Sequence, residues 1–370
     1  MRRVYSLFAY AERAGGLQPL RICLPARLLA SAASEWPLQT TNSGIMAASL
    51  WGALAARDTM AVDLPMSIQR FSTKTPGSGV ILITGASGRV ARRTAELLAG
   101  DGQRLRLMTR NPQRAPKLTD AETVRGDFAE PATLKDAFTG VSAALVVSAS
   151  GEPGERARLH RNAFQAAARA GVGHVVYLSL QGAAPDSKYP FSRDHYLSEQ
   201  YLFAAGLPCT VLRNAFYIDM FLEKLDAEGV VRGPAQQGRG AFVSREDVAR
   251  TAAAVLRKQP GGIYDVTGPE ALSVADIARR LSTLVGRQLR YEDESADAAR
   301  ERLSKLEPLP WRVDSSVGWF GAIAAGELKH TSDTVLRFTG TAPLSLEDYF
   351  RAFPKLLRAL HLGQDRTSAG

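Results

Sequence analysis

From Gly79 onward, short apolar runs alternate with segments whose apolar positions recur every three or four residues. Val80 to Ile83 is aliphatic without interruption, the pattern of a strand covered on both faces, and residues 89–100 have helical spacing. The same reading predicts strands over 79–84, 104–109, 122–125, 143–148, 174–180 and 208–213, with helices over 89–100, 131–138, 154–171 and 193–205. Strands alternating with helices predict an α/β fold, a Rossmann-type doubly wound parallel sheet with a cleft at the strands' C-terminal ends. After Asn214 the regularity loosens into a helix over 245–258, a strand over 262–267, a helix over 273–286 and a strand over 288–292. Pro260, Gly261, Gly262 and the pair Gly268-Pro269 punctuate this stretch, which is expected to form a smaller C-terminal α/β lobe. The expected organisation is a leader or spurious extension over 1–76, a nucleotide-binding domain over 77–230, the small lobe over 231–360 and a polar tail over 361–370.

Composition narrows the class. The chain has 370 residues, enough for a full core, with 45% apolar and 22% charged residues and no run of eighteen apolar residues that would span a bilayer. A membrane-spanning protein is therefore not expected. The net charge of +9 comes from Lys and Arg scattered among Asp and Glu, so nucleic acid is not an expected partner. Cys23 and Cys209 have neither disulfide-framework nor metal-site spacing. Residues before 77 carry Arg2, Arg3, Arg13, Arg21 and Arg27 against Glu12 and Glu35, the bias of an organelle transit peptide. An over-extended reading frame is the other explanation, since Met46, Met60 and Met66 offer later starts. The first reading implies an organelle; the second, which is favoured, implies the cytoplasm.

Where the first strand ends, TGASGRVA opens directly into a helix. Gly85 permits the tight turn, and Gly88, without a Cβ, lets backbone approach a pyrophosphate that the amides around Ser87, Gly88, Arg89 and Val90 would hold at the helix N-terminus. An acid at the end of the second strand would hold a ribose hydroxyl; here Arg110 stands instead, which favours the 2′-phosphate of NADPH over NADH, although NADH is not excluded. Asp127, beside Phe128, is placed either to accept from an adenine amino group or to cap the next helix. Ser148, Ala149 and Ser150 are small enough for the nicotinamide half to lie on backbone, and Ser179 sits at the cleft edge to bond substrate or loop.

The stretch YPFSRDHYLSEQYLFAAGLPCTVLRNAFYIDMF, Tyr189 to Phe221, lacks the Tyr-x-x-x-Lys pair of short-chain dehydrogenases, in which the Lys lowers a phenol's pKa for proton transfer. Taken with TGASGRVA, Arg110, GDF and H-x-x-S-E at His195 to Glu199, the block LRNAFYIDMF resembles the atypical short-chain dehydrogenases of the NmrA-like group. The likeness is strongest to type 2 NAD(P)H:quinone oxidoreductases and triphenylmethane dye reductases, over roughly 79–355. That resemblance implies direct hydride transfer from NADPH to a small quinone-like or conjugated acceptor, without flavin or metal. It places His195 at the usual Lys position and Phe191 at the usual Tyr position. It also puts Asn214, Phe216 and Tyr217 around the nicotinamide and acceptor, where core packing is the alternative for the two aromatics. His195, Asn214 and Tyr217 are the expected catalytic residues, with the proton arriving from solvent or from His195. Glu199 is expected to tie its helix to Arg213, and His160 is given no role. The rival implication is a dinucleotide sensor acting through protein partners. A homodimer is left open.

Overall fold

The computed structural model describes residues 4–13, 16–25 and 79–357. Strands β1 (Val4–Arg13) and β2 (Gly16–Pro25) pair as an antiparallel hairpin, regular structure that the expectation of a poorly ordered leader did not include. The rest of that segment, and the tail over 361–370, lie outside the described residues.

Among the described residues, seven strands form one parallel sheet. They are β3 (Val80–Thr84), β4 (Leu105–Thr109), β5 (Ala121–Arg125), β6 (Val141–Val146), β7 (His174–Leu180), β8 (Cys209–Asn214) and β11 (Gly262–Val266), in the order β11-β8-β7-β6-β3-β4-β5. The chain builds outward from β3 through β4 and β5, then returns to β6 on the other side. The loops leaving β3 and β6 therefore diverge, and the crevice between them is where an open α/β sheet takes its ligand.

Helices α1 (Arg89–Gly100) and α5 (Arg245–Lys258) cover one face, burying Val90, Ala91, Ala95 and Leu98 against Val248, Ala252 and Leu256. Helices α2 (Pro131–Phe138), α3 (Glu155–Arg169) and α4 (Pro190–Ala204) cover the other, through Leu134, Phe138, Phe164 and Leu202. Helix α4 begins three residues before its predicted start because Pro190 occupies the first turn, where its fixed φ and missing N–H cost nothing.

The predicted split at 230/231 needs correction. Strand β11, expected in the small lobe, pairs in parallel with β8 from Gly262–Thr210 to Val266–Asn214, and α5 packs on the same sheet. The remaining lobe comprises β9 (Val230–Gly233), β10 (Arg239–Gly240), β12 (Leu272–Ser273), α6 (Val274–Val285), β13 (Arg290–Asp293), α7 (Ala296–Ser304), α8 (Pro310–Ala324) and α10 (Leu346–Ala352). The short helix α9 (Thr334–Thr339) returns to the main core through Val335 and Phe338. No helix among the described residues is long and apolar enough to cross a membrane.

Candidate active site

The loop from β3 to α1 forms the floor of the crevice. Gly85 has φ +59°, a region L side chains rarely adopt, and a Cβ on Gly88 would stand 3.2 Å from the Gly85 carbonyl oxygen. Helix α1 has no side-chain N-cap and no acidic residue in its first turn, so its leading amides and dipole face the crevice ready for an anion. Gly85, Ser87, Gly88, Arg110, Asp127, Phe128, Ser148, Ala149 and Ser150 line one cavity of about 250 Å3. Arg110 is exposed at its rim and has no ion-pair partner among the described residues. These features fit a dinucleotide with a pyrophosphate on the loop.

Two residues expected at this cofactor site stand elsewhere. The Arg89 guanidinium bonds Asp219 through Nη1, Val90 is buried in the core against the sheet, and neither lines this cavity. Asp127 Oδ1 accepts the Ala129 N–H at 2.9 Å in the turn before α2, whose N-cap is Glu130 and not Asp127.

Val147 and Ser148 continue the groove into a second cavity of about 180 Å3, lined by Arg156, Ser179, Tyr189, Phe191, His195, Asn214, Phe216, Tyr217 and Met220. The Ser179 hydroxyl is committed: it donates to Glu199 Oε1 at 2.6 Å, while Glu199 takes both arms of Arg213 at 2.9 and 2.6 Å. The expected tie between Glu199 and Arg213 is therefore present. Burial first of all raises the Tyr217 phenol above its ordinary pKa, so this hydroxyl keeps its proton. The Arg245 guanidinium stacks on the same ring, 4.1 Å from its centroid. Phe216 lines the cavity and also stacks on buried Trp319 of α8 at 5.2 Å, so site lining and core packing describe one ring. Asn214 Oδ1 is buried in the same wall without a hydrogen-bond partner.

His195 sits in a polar network that sequence reasoning missed. Its Nδ1 lies 2.8 Å from the Tyr177 hydroxyl, which lies 3.1 Å from His160 Nδ1. The Ala149 N–H donates to His160 Nε2 at 2.8 Å, so the His160 proton is on Nδ1, 2.7 Å from Ser198 Oγ. Ser198 in turn donates to the Asp194 carbonyl at 2.7 Å. The Arg156 guanidinium donates to His195 Nε2 at 3.4 Å, so neutral His195 carries its proton on Nδ1 and donates it to the Tyr177 hydroxyl. Burial, with the Arg156 charge nearby, holds His195 well below the ordinary histidine pKa and His160 down at about 3.

Comparisons with known proteins agree with this geometry. A family model described as NAD(P)H-binding matches residues 85–259. A (4-alkanoyl-5-oxo-2,5-dihydrofuran-3-yl)methyl phosphate reductase of Streptomyces griseus is 35% identical, covering 62% of this chain and 83% of its own. Quinone oxidoreductase 2 of Escherichia coli is 33% identical over 73% of this chain and 96% of its own. Its crystal structure complexed with NADPH matches with a TM-score of 0.68 at 29% identity, over 74% of this chain and 99% of that one. A Citrobacter triphenylmethane reductase complexed with NADP(H) matches with a TM-score of 0.66 at 26% identity, over 74% and 99%. The chain belongs to the NAD(P)H-binding NmrA-like family. It is an NAD(P)H-dependent oxidoreductase.

Part of the second cavity of this NmrA-like protein comes from residues that sequence reasoning passed over. Arg156 and His160 are four apart on α3 and both buried, which contradicts the dismissal of His160 as isolated. A charged or polar pair at helical spacing on the face turned to the core was the available signal.

Proposed function

We propose that this protein reduces small quinone-like or conjugated carbonyl compounds by direct hydride transfer from NADPH. One observation carries the reading: the glycine-loop cavity shares Val147 and Ser148 with a small, largely aromatic cavity whose lining contains no Tyr-Lys proton-transfer pair. NADPH, when bound, supplies a hydride from its dihydronicotinamide.

The chain's own residues then divide the work. Gly85 and Gly88 admit the pyrophosphate, with the α1 amides as donors. Arg110 takes the 2′-phosphate, and Asp127 and Phe128 flank the adenosine end. Ser148, Ala149 and Ser150 present backbone to the nicotinamide half, and Asn214 Oδ1 offers its unused acceptor to a ligand N–H. Tyr189, Phe191, Phe216, Tyr217 and Met220 exclude water and hold a flat acceptor at reacting distance. An already electrophilic acceptor needs no general acid during hydride arrival, and neutral His195 has no imidazolium proton to give. The proton therefore comes from solvent.

The relatives' names support the same class, since a quinone and an oxo-dihydrofuran both carry carbonyl groups. We place the activity in the cytoplasm, with an organelle as the alternative should the first 76 residues act as a transit peptide.

The test is NADPH oxidation, followed by absorbance, by the full chain against benzoquinones, naphthoquinones and cationic triphenylmethane dyes. Saturable turnover of any of them is expected. Tight NADPH binding with no turnover of any acceptor would replace this reading with the dinucleotide sensor.

A further inference from the structure

The second cavity contains a buried cation that forms no ion pair among the described residues; Asp194, whose carboxylate accepts the Gly154 N–H, is the acid that feels its charge. Arg156 is 9% exposed, and among the described residues no carboxylate lies within ion-pair distance of it. Its Nε donates to the Ala149 carbonyl at 2.8 Å, its Nη2 lies 3.4 Å from His195 Nε2, and its guanidinium covers the Phe191 ring, 4.3 Å from the centroid. A buried charge without a partner is costly. The cost is compounded because Arg156 is the second residue of α3, where the helix dipole disfavours a cation.

Two features turn this cost into a function. Arg156 Nε is used on the Ala149 carbonyl and Nη2 donates to His195 Nε2, while Nη1 has no hydrogen-bond partner among the described residues. Arg156 lines the cavity, and a ligand oxygen there would take the unused N–H groups. In addition, Arg156 touches both Phe191 and His195, the two residues that by resemblance replace a Tyr and a Lys.

We propose that Arg156, held in place by the Ala149 carbonyl and His195 Nε2, forms a cationic donor site for the carbonyl oxygen of the acceptor, selecting acceptors that gain negative charge on oxygen over acceptors that are cationic. The proposal rests on the reductase reading above and names its substrate class. When hydride adds to a carbon conjugated with the carbonyl, a C–H bond forms and the π pair moves to the oxygen. The oxygen becomes an enolate, which for a quinone turns into the phenolate once the new C–H proton passes to water, and NADPH, the donor of the two electrons, becomes NADP+. Arg156 stays protonated and meets the new charge, and water later protonates the oxygen. With a cationic dye the hydride neutralises the acceptor, and Arg156 has no charge to stabilise.

The test uses Arg156→Met and Arg156→Lys in the full chain. The ratio of kcat/KM for a neutral naphthoquinone to that for a cationic triphenylmethane dye should fall about 100-fold in Arg156→Met, the size of effect seen when one oxyanion donor is removed. Arg156→Lys should recover part of it. Independently of turnover, para-nitrophenol is titrated against the NADP+-loaded protein, and the phenolate absorbance is followed. Wild type should lower the apparent pKa of the bound phenol by about 1 unit or more, and Arg156→Met should abolish that shift. If Arg156→Met weakens NADPH binding and slows both acceptors alike, the arginine serves the cofactor and the proposal fails. Equal phenolate binding by wild type and variant overturns it too. A wild type that reduces dyes but no quinone overturns this inference while leaving the reductase. A wild type that reduces nothing overturns the reductase, and the phenolate titration still decides Arg156.

Discussion

Three buried histidines make acid the protein's weak point. Burial pulls His160 down to about 3 and His174, whose Nε2 meets Thr210 Oγ1 at 2.9 Å, down to about 4; His195 is displaced in the same direction. In the unfolded chain each titrates near about 6.5. Below that pH the unfolded state binds protons the native state refuses, so stability is full above about 6.5 and is lost as pH falls toward the native values. At pH of about 5, linkage gives a loss of ~2 kcal/mol for each of His160 and His174, roughly 4 kcal/mol together, with His195 adding to it. That is a large part of the roughly 5–15 kcal/mol by which domains are stable. Asp276, held down at about 2 first of all by Arg279, contributes only at more acid pH. The assay is urea unfolding of wild type and His174→Gln from pH about 8 to about 5, because glutamine keeps a partner for Thr210 and cannot titrate in this range. The variant should lose ~2 kcal/mol less than wild type over that interval. An identical loss in the two proteins, or a flat wild-type profile, would refute the reasoning.

Other perturbations address the site. Arg110→Ala should weaken NADPH binding by roughly 10-fold, the value of one charge-assisted contact at an exposed rim, and leave NADH binding unchanged in fluorescence titrations; an unchanged NADPH-to-NADH ratio removes the phosphate assignment. Arg213→Ala strands the buried Glu199 carboxylate with only the Ser179 hydroxyl, and should cost ~3 kcal/mol in chemical denaturation at neutral pH. A loss below about 1 kcal/mol would show that the pair contributes little. Tyr177→Phe removes the acceptor of His195 Nδ1–H and frees the imidazole to carry its proton on Nε2, where it no longer accepts from Arg156. The naphthoquinone-to-dye ratio should then fall while NADPH affinity holds; an unchanged ratio means that Tyr177 does not set the tautomer.

How much of this was legible in the sequence depends on how the chain distributes each part. The central strands β3, β6 and β7 are buried on both faces, so they read as continuous apolar runs, and the turn at Gly85 follows the first of them directly. Strand β11 is different. It lies at the sheet's edge with Gly262, Ile263 and most of its length partly open, and nothing in GIYDV states that its partner is β8, some fifty residues earlier. Helix α8 was hidden by its glycines, which ordinarily argue against a helix. A Cβ on Gly318 would stand 2.7 Å from the Lys188 carbonyl oxygen, so the residue that weakens the helical pattern is what lets α8 pack against the start of α4.

The two halves of the site differ for the same reason. The pyrophosphate half is written into single βα loops, where a few consecutive residues do the binding and spacing alone reveals them. The acceptor half is assembled from the β6–α3 loop, the first turn of α3, the end of β7, the first half of α4 and the segment after β8, so its chemistry exists only where those elements meet. Along the chain, Phe191 and His195 at the positions where the resemblance implies Tyr and Lys look like a loss of function. In three dimensions Arg156 stands against the Phe191 ring and beside His195. The apolar ring lets the guanidinium lie flat, and the neutral imidazole accepts from it. A lysine at position 195 would set two cations against one another in a cavity of about 180 Å3, so the neutral His195 and the Arg156 charge belong to one arrangement.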